Sequence, residues 1–129
     1  MTRINPPSLA RPTGYAHVAL TEGRQAHIAG QVALNAEGKV VGEGDLAAQA
    51  GQVYANLAAC LAAAGSDFAR VFKMVTYVVD LTPEKAAIVR RVRMKYLGEG
   101  PYPASTMIGI GALVLPTLLI EIEASAALD

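Results

Sequence analysis

The sequence predicts a single α+β domain over residues 1–129, in which a mixed β-sheet carries two helices on one face. The first observation behind this class is a pair of segments with helix caps and apolar residues at spacings of three and four. The second is a set of β-branched or alternating segments before, between and after those helices. The third is the length of 129 residues, which suits one ordinary domain rather than two.

The N-terminal part of the chain is predicted to form a β-hairpin. Residues 15–20 and 25–34 alternate apolar and polar positions, and Glu22-Gly23 between them is a turn signal. A second turn and a short extended piece follow at residues 35–42. The Pro-rich start of the chain is the one segment expected to have low order, and it lacks the apolar stretch of a signal peptide.

The first helix is predicted from Asp45 to Ala64, with Asp45 as the N-cap and Gly65 just beyond the C-terminus. Apolar residues recur at spacings of three and four along one side of this segment, which is typical of a helix packed on a core. The apolar face comprises Leu46, Ala50, Val53, Leu57, Leu61 and Ala64. The residues predicted to lie on the other side are Gln49, Gln52 and Asn56.

The second helix is predicted to run to about Leu97, because Thr82 is a favourable N-cap, Pro83 suits the first helical position and Gly98 is a stop signal. Its predicted buried line comprises Ile88, Val92 and Tyr96. Its positive residues are Lys85, Arg90, Arg91, Arg93 and Lys95. A solvated surface is the simpler interpretation of this basic helix, and an anion-binding strip is the alternative.

Three further strands complete the predicted sheet. Residues 71–81 are rich in β-branched residues and suit a central strand, and residues 105–112 and 118–126 are two closing strands joined around Pro116. Along the last strand one face carries Ile120, Ile122 and Ala124, and the other carries Glu121, Glu123 and Ser125. The carboxylates are therefore either exposed to water or held in a cleft, where a raised pKa would suit proton transfer.

Composition limits the classes of function. The chain is 53% hydrophobic and 17% charged, and so high an apolar share in a small domain predicts self-association. Its 11 basic and 11 acidic residues leave no net field to recruit nucleic acid. No apolar run is long enough to cross a membrane, so a cytoplasmic location is expected.

Residue types that carry disulfide or metal chemistry are few. The single Cys60 permits no disulfide within the chain and is expected to be a small core residue. His17 and His27, without a patterned carboxylate or thiol nearby, are a weak signal for a metal site. We therefore expect no metal and no nucleic-acid or membrane partner.

Several motifs occur in an order typical of one family. They are Gly14-Tyr15, HIAGQVALN from His27, the run beginning VYANLAAC at Val53, YPAST from Tyr102, and IEIEA from Ile120. Through them nearly the whole chain resembles the Rid/YjgF family of small imine and enamine deaminases. The resemblance implies a chorismate-mutase-like fold, a homotrimer with a cleft at each subunit interface, and no metal or organic cofactor. It also implies hydrolysis of reactive 2-imino acids, or their enamine tautomers, to 2-oxo acids and ammonia.

The site residues of that family map onto this chain only in part. Tyr15 and Glu121 match its cleft tyrosine and its water-activating glutamate, and Gly30 matches a turn glycine. Ser105 stands where the family has the arginine that binds the substrate carboxylate. The other replacements are Ala29 for a serine, Met107 for a cysteine and Ile88 for an asparagine.

These matches predict a hydrolase of a reactive imine or enamine metabolite, in which Glu121 orients or deprotonates water. The hydroxyls of Ser105 and Thr106, with backbone N–H groups near Met107, would hold a neutral polar group. Because a serine cannot replace a bidentate arginine, the usual small 2-imino acids are not the predicted substrates.

Two alternatives remain open at the level of sequence. The first is a non-catalytic module that binds a small metabolite or regulates a partner on the same trimeric scaffold. The second retains the usual activity, with Arg90, Arg91 or Arg93 of the second helix supplying the missing positive charge. Arg91 is the preferred candidate in that case, because it lies three residues from Ile88 and so shares its helix face.

Overall fold

The computed structural model describes residues 1–128, which form the α+β arrangement that the sequence predicts. The helices are α1 (Leu46–Ala63) and α2 (Pro83–Leu97), with a short 3₁₀ helix at Phe68–Arg70. The strands are β1 (Thr2–Ile4), β2 (Val18–Leu20), β3 (Gln25–Gln31), β4 (Val71–Val79), β5 (Ala104–Ile110) and β6 (Ile120–Ala127). In the described part of the chain, neither helix combines the length and apolar character needed to cross a lipid bilayer.

The main sheet has four strands in the order β3-β6-β4-β5. β6 pairs antiparallel with both β3 and β4, whereas β4 and β5 are parallel. The parallel pair follows from α2, because a helical crossover returns the chain to the same end of the sheet. The predicted mixed sheet is confirmed, and β4 separates the two closing strands.

The predicted hairpin between residues 15–20 and 25–34 does not form. β2 pairs instead with the N-terminal β1, with Ile4 opposite Val18, and β3 pairs with β6. Gly23 adopts φ +85° between two strands that belong to different sheets. The prediction was wrong because alternating apolar residues identify a strand without identifying its partner, and β1 lies in the segment expected to have low order.

Helix α1 has the predicted ends. The Asp45 side chain accepts a hydrogen bond from the Ala48 N–H at 3.0 Å, and Gly65 follows the helix with φ +76°. Gln49 departs from the prediction, because it is fully buried and bonded to backbone on both sides. Its amide reaches the carbonyl of Thr117 and the N–H of Leu119, and so ties α1 to the segment that enters β6.

Helix α2 also begins and ends as predicted, with the Thr82 hydroxyl accepting from the Lys85 N–H and Gly98 following Leu97. Its buried face is rotated from the predicted one and comprises Ala86, Val89, Val92, Arg93 and Leu97. Tyr96 is half-buried and stacks on Tyr54 of α1, with ring centroids 5.1 Å apart. The burial of an arginine on this face is the largest departure from the basic, solvated helix that the sequence predicts.

Both helices cover one face of the main sheet, as predicted. Alternation along β6 places Ile120, Ile122, Ala124 and Ala126 in the core between sheet and helices. The opposite surface, here named the open face, carries Val75, Tyr77, Thr106, Ile108, Glu121, Glu123 and Ser125. The predicted division of the last strand into an apolar and a carboxylate-bearing face is confirmed.

Candidate functional site

The register of β5 on β4 divides the predicted site residues of β5 between the two faces of the sheet. Ser105 lies opposite Met74, and Met107 lies opposite Thr76. Met74 and Thr76 are buried beneath the helices, and side chains in register share a face. Ser105 and Met107 therefore lie on the helix side of the sheet, whereas Thr106 is exposed on the open face.

A pocket of about 250 Å³ lies at this edge of the sheet, between β5 and α2. We call it the arginine pocket, and its lining residues are Thr13, Tyr15, Arg90, Arg93, Ser105 and Met107. Tyr15 reaches it because the neighbouring Ala16 continues the sheet, with the Ala16 N–H donating to the Pro103 carbonyl at 2.9 Å. The pocket thus unites three residues that the sequence predicts for the site: Tyr15, Ser105 and Met107.

Arg93 is the buried cation of this pocket, with only 7% of its surface exposed. Within residues 1–128 its guanidinium makes no hydrogen bond or ion pair, and its Nε is wholly buried without a partner. The backbone passes close by at Gly14, where φ is +77° and an added Cβ would stand 2.9 Å from Arg93 Nη2. The pKa of the neighbouring Tyr54 phenol is raised by burial, and the charge of Arg93 opposes that rise.

None of the other basic residues of α2 is buried, and Arg90 lines the arginine pocket from an exposed position. Arg90 and Arg91 are exposed, and the Lys85 ammonium donates to the carbonyl of Asp80 at 3.0 Å. Arg91 and Ile88 line a separate groove with Leu46 and Leu119. Since Ile88 is not beside Ser105, Arg91 does not stand at the position that sequence reasoning proposed for a replacement clamp.

Glu121 lies on the open face against Gly30. Two residues of β3, Ala29 and Gly30, bulge between the pairs that β3 makes with β6, and Ala29 is exposed. A Cβ at Gly30 would collide with the Glu121 carboxylate and stand 2.7 Å from its Cδ. Glycine at position 30 is therefore required for the carboxylate to occupy its present place.

The two carboxylates of β6 have different surroundings. The Tyr77 hydroxyl donates to Glu123 at 2.6 Å, whereas Glu121 makes no hydrogen bond or ion pair within residues 1–128. The pKa of Tyr77 is raised, first by this hydrogen bond to Glu123, then by desolvation and by the negative charges of Glu123 and Glu121. Glu123 is thus held in place by a neighbour, and the Glu121 carboxylate is available to water or a ligand.

Neither histidine belongs to these groups. His17 Nε2 donates to the Ala10 carbonyl at 2.8 Å, and His27 Nδ1 shares a hydrogen bond of 2.8 Å with Ser125 Oγ. Among residues 1–128, no three side chains of His, Cys, Asp or Glu come together in an arrangement that would hold a metal ion.

The predicted site residues therefore form two separate groups in the chain. Tyr15, Ser105 and Met107 meet on the helix side, and Gly30 and Glu121 meet on the open face. Sequence reasoning missed Thr13, and it named Arg90 and Arg93 only as candidates less favoured than Arg91. A signal was present for the arginines, because positions three apart share a helix face, but nothing in the sequence showed which face meets β5.

Comparison with known protein families gives a match over residues 7–128, to the family described as Endoribonuclease L-PSP. A RutC family protein of Pyrococcus horikoshii is 33% identical over 116 residues, which are 90% of this chain and 89% of that protein.

Solved structures agree with this sequence match. The Rid-family protein YyfB of Yersinia pestis, described as of unknown function, is 47% identical with a TM-score of 0.88, covering 98% of this chain and 97% of that one. The RidA protein of an Antarctic Psychrobacter species is 28% identical with a TM-score of 0.72, covering 98% of both chains.

Proposed function

The chain belongs to the Rid/YjgF family, and on that premise we propose that it hydrolyses a reactive imine, or its enamine tautomer, to a carbonyl compound and ammonia. The observation that carries the proposal is the Glu121 carboxylate, which lies against Gly30 on the open face without a hydrogen-bonding partner in residues 1–128. A carboxylate in this state can accept a proton from water without first breaking an existing contact.

The reaction needs little beyond this carboxylate and a site that orients the substrate. Glu121 takes a proton from water as the oxygen adds to the carbon of the protonated imine, giving a neutral carbinolamine. The carboxyl group returns that proton to the nitrogen, and as the C–N bond breaks the carboxylate accepts the proton of the hydroxyl group, so that ammonia leaves and the carbonyl forms. Ammonia then takes this proton, so that protonated imine plus water gives carbonyl compound plus ammonium, with no redox step.

We place the reaction in a cleft between protomers of a homotrimer. The arginine pocket of one protomer and Glu121 of its neighbour would face each other, which joins half-sites that lie on opposite sides of the sheet in one chain. Exposed apolar residues support burial against another copy, because Ile108 on the open face is 40% exposed and Val114 is 82% exposed. A cleft built by two copies also accounts for the high apolar content.

A coupled assay tests the reaction. An amino acid oxidase generates 2-imino acids from amino acids with apolar, acidic and basic side chains, and ammonia release is followed against buffer alone. We expect acceleration for at least one of them. Rates equal to buffer for every imine, together with binding of the corresponding 2-oxo acids, would favour a metabolite-binding module instead. RNA is a second control substrate, since the family description names an endoribonuclease.

Assembly gives a separate prediction. Ile108→Glu places a charge on the open face of the edge strand β5 and is expected to shift the mass in solution from three protomers to one, because a buried unpaired carboxylate opposes association. Sedimentation velocity measures the change. Met94→Glu, at a residue that is also exposed (43%) but lies on α2, is the matched control and should remain trimeric. A wild-type protein that sediments as a monomer would contradict the interfacial cleft.

Gly30→Ala is expected to lower kcat by about 100-fold, because the new methyl group displaces the Glu121 carboxylate and misplacement by about 1 Å costs that factor. Gly111→Ala serves as the control, since a Cβ there meets no atom within 4 Å. Ammonia release and a crystal structure of the variant report rate and carboxylate position together. An unchanged rate with a displaced Glu121 would count against the proposed role of this carboxylate.

A further inference from the structure

We infer that the arginine pocket is an anion-binding subsite, in which Arg93 binds a small carboxylate and thereby replaces the clamp that β5 lacks at Ser105. The inference rests on the proposed function only in assigning that carboxylate to the substrate. It changes the expected substrate class, because the sequence alone favoured a ligand without a carboxylate at this position.

The state of Arg93 is the first support. The side chain is 7% exposed, and its guanidinium has no hydrogen bond or ion pair within residues 1–128. A buried charge without a partner is costly, so buried arginines in folded proteins are normally paired. Tyr54, the neighbour that responds to this charge, is a neutral phenol whose pKa is raised by burial, and it does not neutralise the cation. Within the described part of the chain, the guanidinium therefore has no anionic partner.

The lining of the pocket is the second support. Arg90 precedes Arg93 by three residues and so lies on the same side of α2, and both line the pocket. Among residues 1–128 no carboxylate lines it, and hydroxyls are supplied by Thr13, Tyr15 and Ser105. Two cations with neutral donors form a site for an anion, and a planar guanidinium matches a carboxylate by two parallel hydrogen bonds.

The volume of the arginine pocket limits the size of the ligand that it can hold. The pocket measures about 250 Å³, which is below the range of about 300–1,000 Å³ typical of sites for drug-sized molecules. Met107 gives it one apolar wall. A small monocarboxylate with a short carbon chain suits this volume and lining, and the carbon next to the carboxylate would then project towards the neighbouring protomer.

Wild-type protein provides the first test, with 2-oxobutyrate as the probe and 2-oxobutyramide as its neutral counterpart. We expect calorimetry or NMR titration to show the acid binding at least about 30-fold more tightly, the factor expected when a desolvated charged hydrogen bond is removed. Equal affinities, or no binding of either compound, would overturn the inference without reference to any variant.

Arg93→Met provides the second test, because it removes the charge and keeps an extended side chain. Affinity for 2-oxobutyrate should fall about 30-fold and affinity for the amide should stay the same. Arg91→Met, on the same helix but in the separate groove, is the matched control and should bind like wild type. Loss in both variants, or in neither, would overturn the inference. Arg93→Lys keeps the charge but lacks the planar guanidinium, so it should retain part of the affinity for 2-oxobutyrate. This variant replaces Arg93→Met in the test if Arg93→Met does not fold.

Measuring ligand affinity and ammonia release separately distinguishes a failure of this inference from a failure of the proposed function. Tight binding of the acid through Arg93 without ammonia release from any imine would keep the subsite and overturn the reaction. Unchanged ammonia release in Arg93→Met, together with unchanged affinity for 2-oxobutyrate, would support the reaction and overturn the subsite. Loss of the trimer in Arg93→Met, with ligand affinity per protomer unchanged, would mean that Arg93 pairs with a carboxylate of another protomer, and this too would overturn the subsite.

Discussion

Glu121→Gln is expected to reduce kcat/KM for imine hydrolysis by about 100- to 10,000-fold, the range that a positioned general base contributes. The substitution keeps shape and removes the proton acceptor, and the neighbouring Gly30 leaves room for an amide of the same size. Ammonia release from the best imine substrate is the measurement. Affinity for 2-oxobutyrate should change little, because the carboxylate acts on water rather than on the anion subsite.

Glu123→Gln is the matched control for this prediction. It makes the same chemical change two residues along β6, at a side chain that is already engaged by the Tyr77 hydroxyl at 2.6 Å. We expect its rate to stay within about threefold of wild type, since its carboxylate is not free to act as a base. Equal losses in both variants would indicate a general electrostatic effect of the open face instead of a base at Glu121.

A site shared between protomers also predicts rescue by mixing. Glu121→Gln and Arg93→Met alter opposite half-sites, so a trimer assembled from both can contain an interface with two intact halves. With random assembly of equal amounts, about a quarter of the interfaces are intact and ammonia release should recover in proportion. No recovery after co-refolding would contradict the shared site.

Gln49→Ala is expected to lower the free energy of unfolding by about 3–5 kcal/mol, because three partly buried backbone groups lose their partner at about 1–3 kcal/mol each. Gln49 is fully buried, and its Nε2 donates to the carbonyls of Gly42 at 3.2 Å and Thr117 at 2.8 Å. Its Oε1 accepts from the Leu119 N–H at 2.8 Å. The loss would be a large share of a typical stability of about 5–15 kcal/mol.

Denaturant unfolding at a fixed protomer concentration measures this change. Gln52→Ala is the matched control, since Gln52 lies on the same helix and its amide donates only to Asn56 one turn away, a contact of about 0.2–0.5 kcal/mol. Equal midpoints for the two variants would show that Gln49 is not the tie between α1 and the segment before β6.

Local chemistry along the chain was sufficient for the elements and for the faces of the last strand. Asp45 and Thr82 cap their helices as their positions indicate, because a capping side chain bonds to a backbone N–H only a few residues away. Glu121 and Ile122 point to opposite faces because strand alternation is a property of the backbone itself. The fold class and the strand face that carries Glu121 both follow from such short-range rules, whereas the choice of Glu121 as the base follows from the family resemblance.

Contacts between residues far apart in the sequence determine the features that local patterns did not predict. The partner of β2, the burial of Gln49 and the burial of Arg93 each depend on residues far away in sequence, which periodicity cannot identify. The sequence alone showed that Ser105 occupies the position at which the family has its carboxylate-binding arginine. Only the tertiary structure decided that another arginine stands beside it, because the rotation of α2 on the sheet sets which of its cations faces β5.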